Sequence, residues 1–212
     1  MANLITIARF PLLILIILLL YMPSPVARLI SVALLGLLIG MDSLDGLVAR
    51  ARNEVSLLGS VLDIMADRSV EQVMWVVYAH LGLVSVAVPI IFILRGIIVD
   101  ALRSVHVGEG QTPFTATQTR IGSWIVGSPW MRSSYGIVKL FAFAGLALTH
   151  ALMAYVSRGT VAEGSANIVW MVFRILSWIA VAFCITRGLP VIVESFAWLQ
   201  AKSRPPRAQG DS

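Results

Sequence analysis

Asp42 and Asp45 stand three residues apart, Asp63 and Asp67 stand four apart, and both pairs border strongly apolar segments. Spacings of three and four put side chains on one face of a helix, so two neighbouring helices would offer four carboxylates to a common point. Ionised groups beside a bilayer core are expensive and are kept for a task. Gathered carboxylate oxygens suit hard divalent cations, and Mg2+ in particular is held by carboxylates together with water and substrate phosphates. The sequence therefore points first to metal-assisted chemistry at a membrane border.

The elements that would position these acids follow from composition. Of 212 residues, 58% are hydrophobic and 13% are charged, about half the charge of an average globular domain. A water-soluble domain is excluded, and an all-α, polytopic membrane protein is expected. Six apolar runs are long enough to cross the hydrocarbon as helices, over roughly 4–22, 26–50, 57–79, 83–104, 133–157 and 166–199. The first is read as a retained span, because Met22-Pro23-Ser24-Pro25 offers no small-residue cleavage site and another apolar run follows. The sixth exceeds a bilayer and is expected to bend near Gly188-Leu189-Pro190 or to project into water. Residues 105–132 form the longest polar stretch. The membrane domain is placed at 1–201 and a polar tail at 202–212.

Basic residues give the orientation. With six spans, one side holds Arg50, Arg52, Arg103, Arg120, Arg132, Lys202, Arg204 and Arg207, and the other holds little beyond Arg28 and Arg158. The first side is the cytoplasmic one, which makes this a multi-pass protein of the cell (inner) membrane with its acids facing the cytoplasm. A net charge of +5 fits a surface of anionic lipid. Membrane lipids are expected partners and nucleic acid is not.

The series Asp42-x-x-Asp45-Gly46-x-x-Ala49-Arg50, then Gly59-x-x-x-Asp63-x-x-x-Asp67, resembles the signature of the CDP-alcohol phosphotransferase (phosphatidyltransferase) family, with every position filled. The resemblance implies transfer of a phosphatidyl-type group from a CDP-linked lipid such as CDP-diacylglycerol to an alcohol, with release of CMP. It implies that Asp42, Asp45 and Asp63 hold metal, and that Asp67 both touches metal and takes the proton of the acceptor. The expected cofactor is a pair of Mg2+ or Mn2+ ions, and two such ions about 4 Å apart would stabilise the attacking and leaving oxygens. Gly46, Ala49 and Gly59 would leave a slot for the nucleotide against the helix backbones. Close helix packing uses the same small residues. Arg50 would contact the pyrophosphate, and Ser56 falls where the family places a hydroxyl near the nucleotide. Asn3-Leu4-Ile5-Thr6-Ile7-Ala8-Arg9 resembles the family's Asn-x-x-Thr-x-x-Arg segment. That likeness puts Asn3 and Thr6 at the donor site, with helix capping as their other reading. A homodimer is also implied.

The acceptor is read from further basic residues. Arg95, Arg103, Arg120 and Lys139 are candidates for binding an acceptor that itself carries phosphate. The run Arg95 to Arg103 resembles the phosphatidylglycerophosphate synthase branch, with Gly96 in place of its usual Glu. Glycerol 3-phosphate leads on that basis, while inositol phosphate, serine and other polyols stay open. A cation transporter is the competing class, but it would want polar residues through the whole bilayer, and the outer halves of these segments are apolar. Glu71 is read as an ion-pair partner of Arg68 or Arg95. The six tryptophans include several near span ends, which an interfacial belt explains, and His80, His106 and His150 lack zinc-ligand spacing. The lone Cys184 is read as a small core residue.

Overall fold

The computed structural model describes residues 2–51, 57–108 and 128–202; within its helices the side chains of 2–3, 42–51, 57, 60, 103, 106–108, 129, 132 and 201–202 are not described. All regular structure there is helical: α1 Ala2–Tyr21, α2 Pro25–Ala51, α3 Leu57–His80, α4 Ala87–Gly108, α5 Pro129–Val156 and α6 Glu163–Lys202. The helices fall within a few residues of the six expected runs. Their apolarity is uneven, however. Among the described residues, Leu4–Tyr21, Ser133–Val156 and Glu163–Gln200 are long and apolar enough to cross a membrane, and Pro25–Met41 is a shorter apolar run. Six spans therefore do not follow from apolar length alone. The reason is visible in α3, which carries Asp63, Asp67, Arg68 and Glu71, and in α4, which carries Arg95, Asp100 and Arg103.

The fourth helix begins later than the apolar run suggests, at Ala87 rather than residue 83. Gly82 sits at φ +73°, and the amides of Gly82 and Leu83 donate to the carbonyls of Ala79 and Tyr78. This is a Schellman stop, in which a left-handed glycine lets the chain turn back and satisfy the last carbonyls of α3. Gly159, at φ +72°, ends α5 in the same way, with its own amide and that of Thr160 donating to Val156 and Tyr155. Beyond Gly82, Ser85 Oγ accepts from the amide of Ala87 and opens α4. α6 runs through Gly188-Leu189-Pro190 as one helix of 40 residues.

The described chain divides into two compact units. The first comprises residues 1–90 and 137–180. Here α1 buries Thr6, Arg9, Leu13, Ile16 and Leu20, a stripe of alternating three- and four-residue steps, against α2 and α3. Leu4, Ile7, Ile14, Leu15 and Leu18 point outward, as they must when the solvent is lipid. Arg9 pairs with Asp67 at the middle of α3, while Tyr21 meets the ring of His80 at its end, so α1 and α3 run parallel. Along α5, Lys139 meets Glu71, Phe143 packs on Trp75 and His150 donates to the carbonyl of Leu20, which makes α5 parallel to both. Trp75 is fully buried with its ring 4.7 Å from Phe143, so it belongs to the core and not to an interfacial belt.

Close helix approach in this unit depends on Gly145. A methyl group added there would fall within the ring of Phe173 on α6. At one end of the unit the turns are tied together. Arg28 donates to the carbonyls of Met22 and His150, and Trp170 Nε1 donates to the carbonyl of Leu83.

The second unit comprises residues 91–136 and 181–212. In it Arg95 lies over Gly188 and Val99 packs with Val191 and Ile192, so α4 and α6 also run in one direction. Arg187 stands 5.4 Å from the centre of the Tyr135 ring, which in turn packs against Phe183.

Candidate active site

Gly59, Asp63, Asp67 and Glu71 follow one another at four-residue steps from the first turn of α3 to just past its middle. Helical periodicity keeps such residues on one slowly turning face. The first position has no side chain and the next two are carboxylates about half open, at 48% and 50% side-chain exposure. Arg9 of α1 lies behind them at 3% exposure, with Nη2 2.7 Å from Oδ1 of Asp67 and Nη1 3.5 Å from Oδ1 of Asp63. One planar fork thus bridges both acids, a geometry that guanidinium offers and ammonium does not. The third acid, Glu71, is buried and takes the ammonium of Lys139 at 3.3 Å.

Burial explains this arrangement. Carboxylates one turn apart repel, and a buried guanidinium without a counter-charge is prohibitively costly. Pairing removes both penalties together. Thr6, one turn before Arg9 and 4% exposed, lies on the same inward stripe. It is the fifth residue of α1, so the capping reading for it falls away. Asn3 is on the first turn of that helix, with its side chain outside the described residues.

The remaining signature residues are distributed as follows. Asp42, Asp45, Gly46, Ala49 and Arg50 lie on the last turns of α2, and the structure does not describe their side chains. Ser56 and Arg120 fall outside the described residues, and Arg103 is on α4 without a described side chain. Arg95, in the second unit, is held half-buried across Gly188, whose absent side chain leaves room for its stem: a Cβ there would come 2.9 Å from Cγ of Arg95. Arg95 Nε is buried without a hydrogen-bond partner.

For a divalent cation the described donors are suitable in kind, being hard carboxylate oxygens with open faces. Among the described residues no group of three or more His, Cys, Asp or Glu is gathered as a ligand set, and two members of the quartet lie outside that description. Arg9 is the residue of this acidic face that the sequence did not single out. Its motif was legible, but its partners, 58 residues away in the case of Asp67, were not. Lys139 and Glu71 form a second pair that the sequence did not suggest.

Long apolar helices around a half-open carboxylate face define a membrane protein with an acidic face within a helical unit. The chain belongs to the CDP-alcohol phosphatidyltransferase family, whose model matches residues 1–186, from α1 into α6. Members are phosphotransferases for substituted phosphate groups, which move a phosphatidyl group from a CDP-alcohol to an acceptor. No curated protein matches the chain.

Proposed function

We propose that the protein transfers the phosphatidyl group of CDP-diacylglycerol to the hydroxyl of a small alcohol, with glycerol 3-phosphate as the leading acceptor, in phospholipid synthesis. The observation that carries this reading is the pair Asp63 and Asp67, open on one side and bridged by Arg9 on the other, in a chain of this family. The acceptor oxygen bonds to the phosphorus of the lipid phosphate. The bond from that phosphorus to the bridging oxygen breaks, CMP leaves, and the hydroxyl proton passes to Asp67. A carboxylate in this position acts as general base.

Asp42, Asp45, Asp63 and Asp67 would hold two Mg2+ or Mn2+ ions, which when bound neutralise the pyrophosphate and lower the pKa of an adjacent hydroxyl. The residues do the rest. Gly46, Ala49 and Gly59 leave the nucleotide its slot, Arg50 with Asn3, Thr6 and Ser56 lines the donor, and the lipid tails stay in the bilayer. For the acceptor phosphate, Arg95 supplies a buried guanidinium nitrogen with unspent hydrogen-bonding capacity. Lys139 enters through Glu71, which fixes its ammonium one turn beyond Asp67. Arg103 and Arg120 complete the proposed acceptor set, and the proposal extends to the phosphatidylglycerophosphate synthase branch.

A six-span arrangement in the cell membrane, with the acids on the cytoplasmic side, is part of this proposal. It is supported by the parallel course of α1, α3 and α5 in one unit and of α4 and α6 in the other, since alternate crossings must share a direction. The assembly is proposed as a homodimer. The decisive experiment offers purified protein CDP-diacylglycerol, Mg2+ and a panel of alcohols, and weighs the lipid product. A mass equal to phosphatidylglycerophosphate supports the reading. Failure to release CMP with any acceptor overturns it.

A further inference from the structure

Among the described residues Arg9 is the least exposed ion in the site, at 3%, yet both of its partners are half open. The guanidinium therefore stands on the protein side of the carboxylates and leaves their outer faces accessible. Its stem belongs to the stripe that seats α1, between Thr6 and Leu13, so it has little freedom to withdraw. A fixed positive charge 2.7 Å from one carboxylate and 3.5 Å from the next opposes any other cation that approaches the same oxygens. It also supplies, in the absence of metal, the counter-charge without which the two acids would repel.

We infer that Arg9 is a resident counter-cation that keeps the affinity of the Asp63 and Asp67 pair for divalent metal low until a polyanionic donor arrives. The pyrophosphate of the donor brings negative charge to the open side and offsets the guanidinium, so metal and donor bind cooperatively, each strengthening the other as linkage requires. Arg9 is thus a positioning and charge-setting residue, not a ligand. The inference rests on the proposed reading that these carboxylates hold metal.

Mn2+ binding to the purified full-length protein in lipid nanodiscs, followed by the paramagnetic resonance of free Mn2+, tests it without turnover. Wild-type protein should bind Mn2+ weakly alone and about tenfold more tightly with CDP-diacylglycerol present. Arg9→Gln should bind Mn2+ about tenfold more tightly than wild type with no donor, and should lose most of the gain on adding it. A damaged site would do the opposite and bind metal less. Arg9→Lys keeps the charge without the two-pronged bridge and should fall between wild type and Arg9→Gln. In chelator, Arg9→Gln should melt below wild type, and Mn2+ should raise its melting temperature by more.

Unchanged or weaker Mn2+ affinity in Arg9→Gln overturns the inference, as does an Arg9→Lys variant that behaves like Arg9→Gln. Should Arg9→Gln fail to fold, the wild type decides, because an affinity indifferent to CDP-diacylglycerol is equally fatal. Wild-type protein that takes up no Mn2+ under either condition defeats the metal reading itself, and this inference with it.

Discussion

At the scale of residues, the acids were readable because their chemistry is written in local spacing. Steps of three and four fix a common helical face whatever the rest of the chain does, and the structure keeps Gly59, Asp63 and Asp67 on one such face of α3. Asp67→Asn should lower transfer by about a thousandfold while donor binding is largely kept, measured as CMP release beside CDP-diacylglycerol binding. Undiminished turnover would remove the base assignment. Arg95→Ala deletes a charged donor whose Nε is buried, worth about 2 kcal/mol, or about a thirtyfold rise in acceptor KM. An unchanged acceptor KM would mean that the phosphate lies elsewhere. What spacing cannot give is pairing across the chain. Arg9 with Asp67 and Lys139 with Glu71 join residues on different helices, and their choice is made by which helix faces meet.

At the scale of elements, the helices were legible in extent because lipid demands long apolar runs, but their ends and contacts were set by glycines that look alike in a sequence. Gly82 and Gly159 stop helices with positive φ. Gly145 admits the ring of Phe173, and Gly36 faces open space. These contexts order the effects of one substitution. Gly145→Ala forces Phe173 from its place and should destabilise by about 1–3 kcal/mol. Gly36→Ala, within a helix and unopposed, should be neutral or stabilising by at most about 1 kcal/mol. Thermal unfolding of the two variants in one detergent compares them directly. Equal melting temperatures would mean that α5 and α6 do not meet at Gly145.

At the scale of the whole molecule, composition announces the membrane, while the number of crossings is harder to read because α3 and α4 exchange apolar length for charge. Mean hydropathy weighs every residue of a helix, whichever way it faces, whereas lipid meets only the outward ones. A helix that turns carboxylates and guanidinium groups toward protein can still cross, provided its outward residues are apolar, as Val61, Ile64, Met65, Val73 and Val76 are on α3 and Ile90, Leu94, Ile97 and Ile98 on α4. The direction of the helices then supplies what hydropathy omits. In the first unit the α1–α2, α3–α4 and α5–α6 turns are joined at one end, through Arg28, His150 and the bond from Trp170 to Leu83, whereas Arg9, Asp63 and Asp67 sit toward the opposite ends of their helices. In a Cys184→Ala background, which removes the single native thiol, Met22→Cys, Val86→Cys and Ser157→Cys should all react with an impermeant maleimide added outside intact cells. Ser104→Cys, at the far end of α4, should react only after the membrane is opened. A split among the first three, or labelling of Ser104→Cys from outside, would break the six-span arrangement and with it the cytoplasmic placement of the acids.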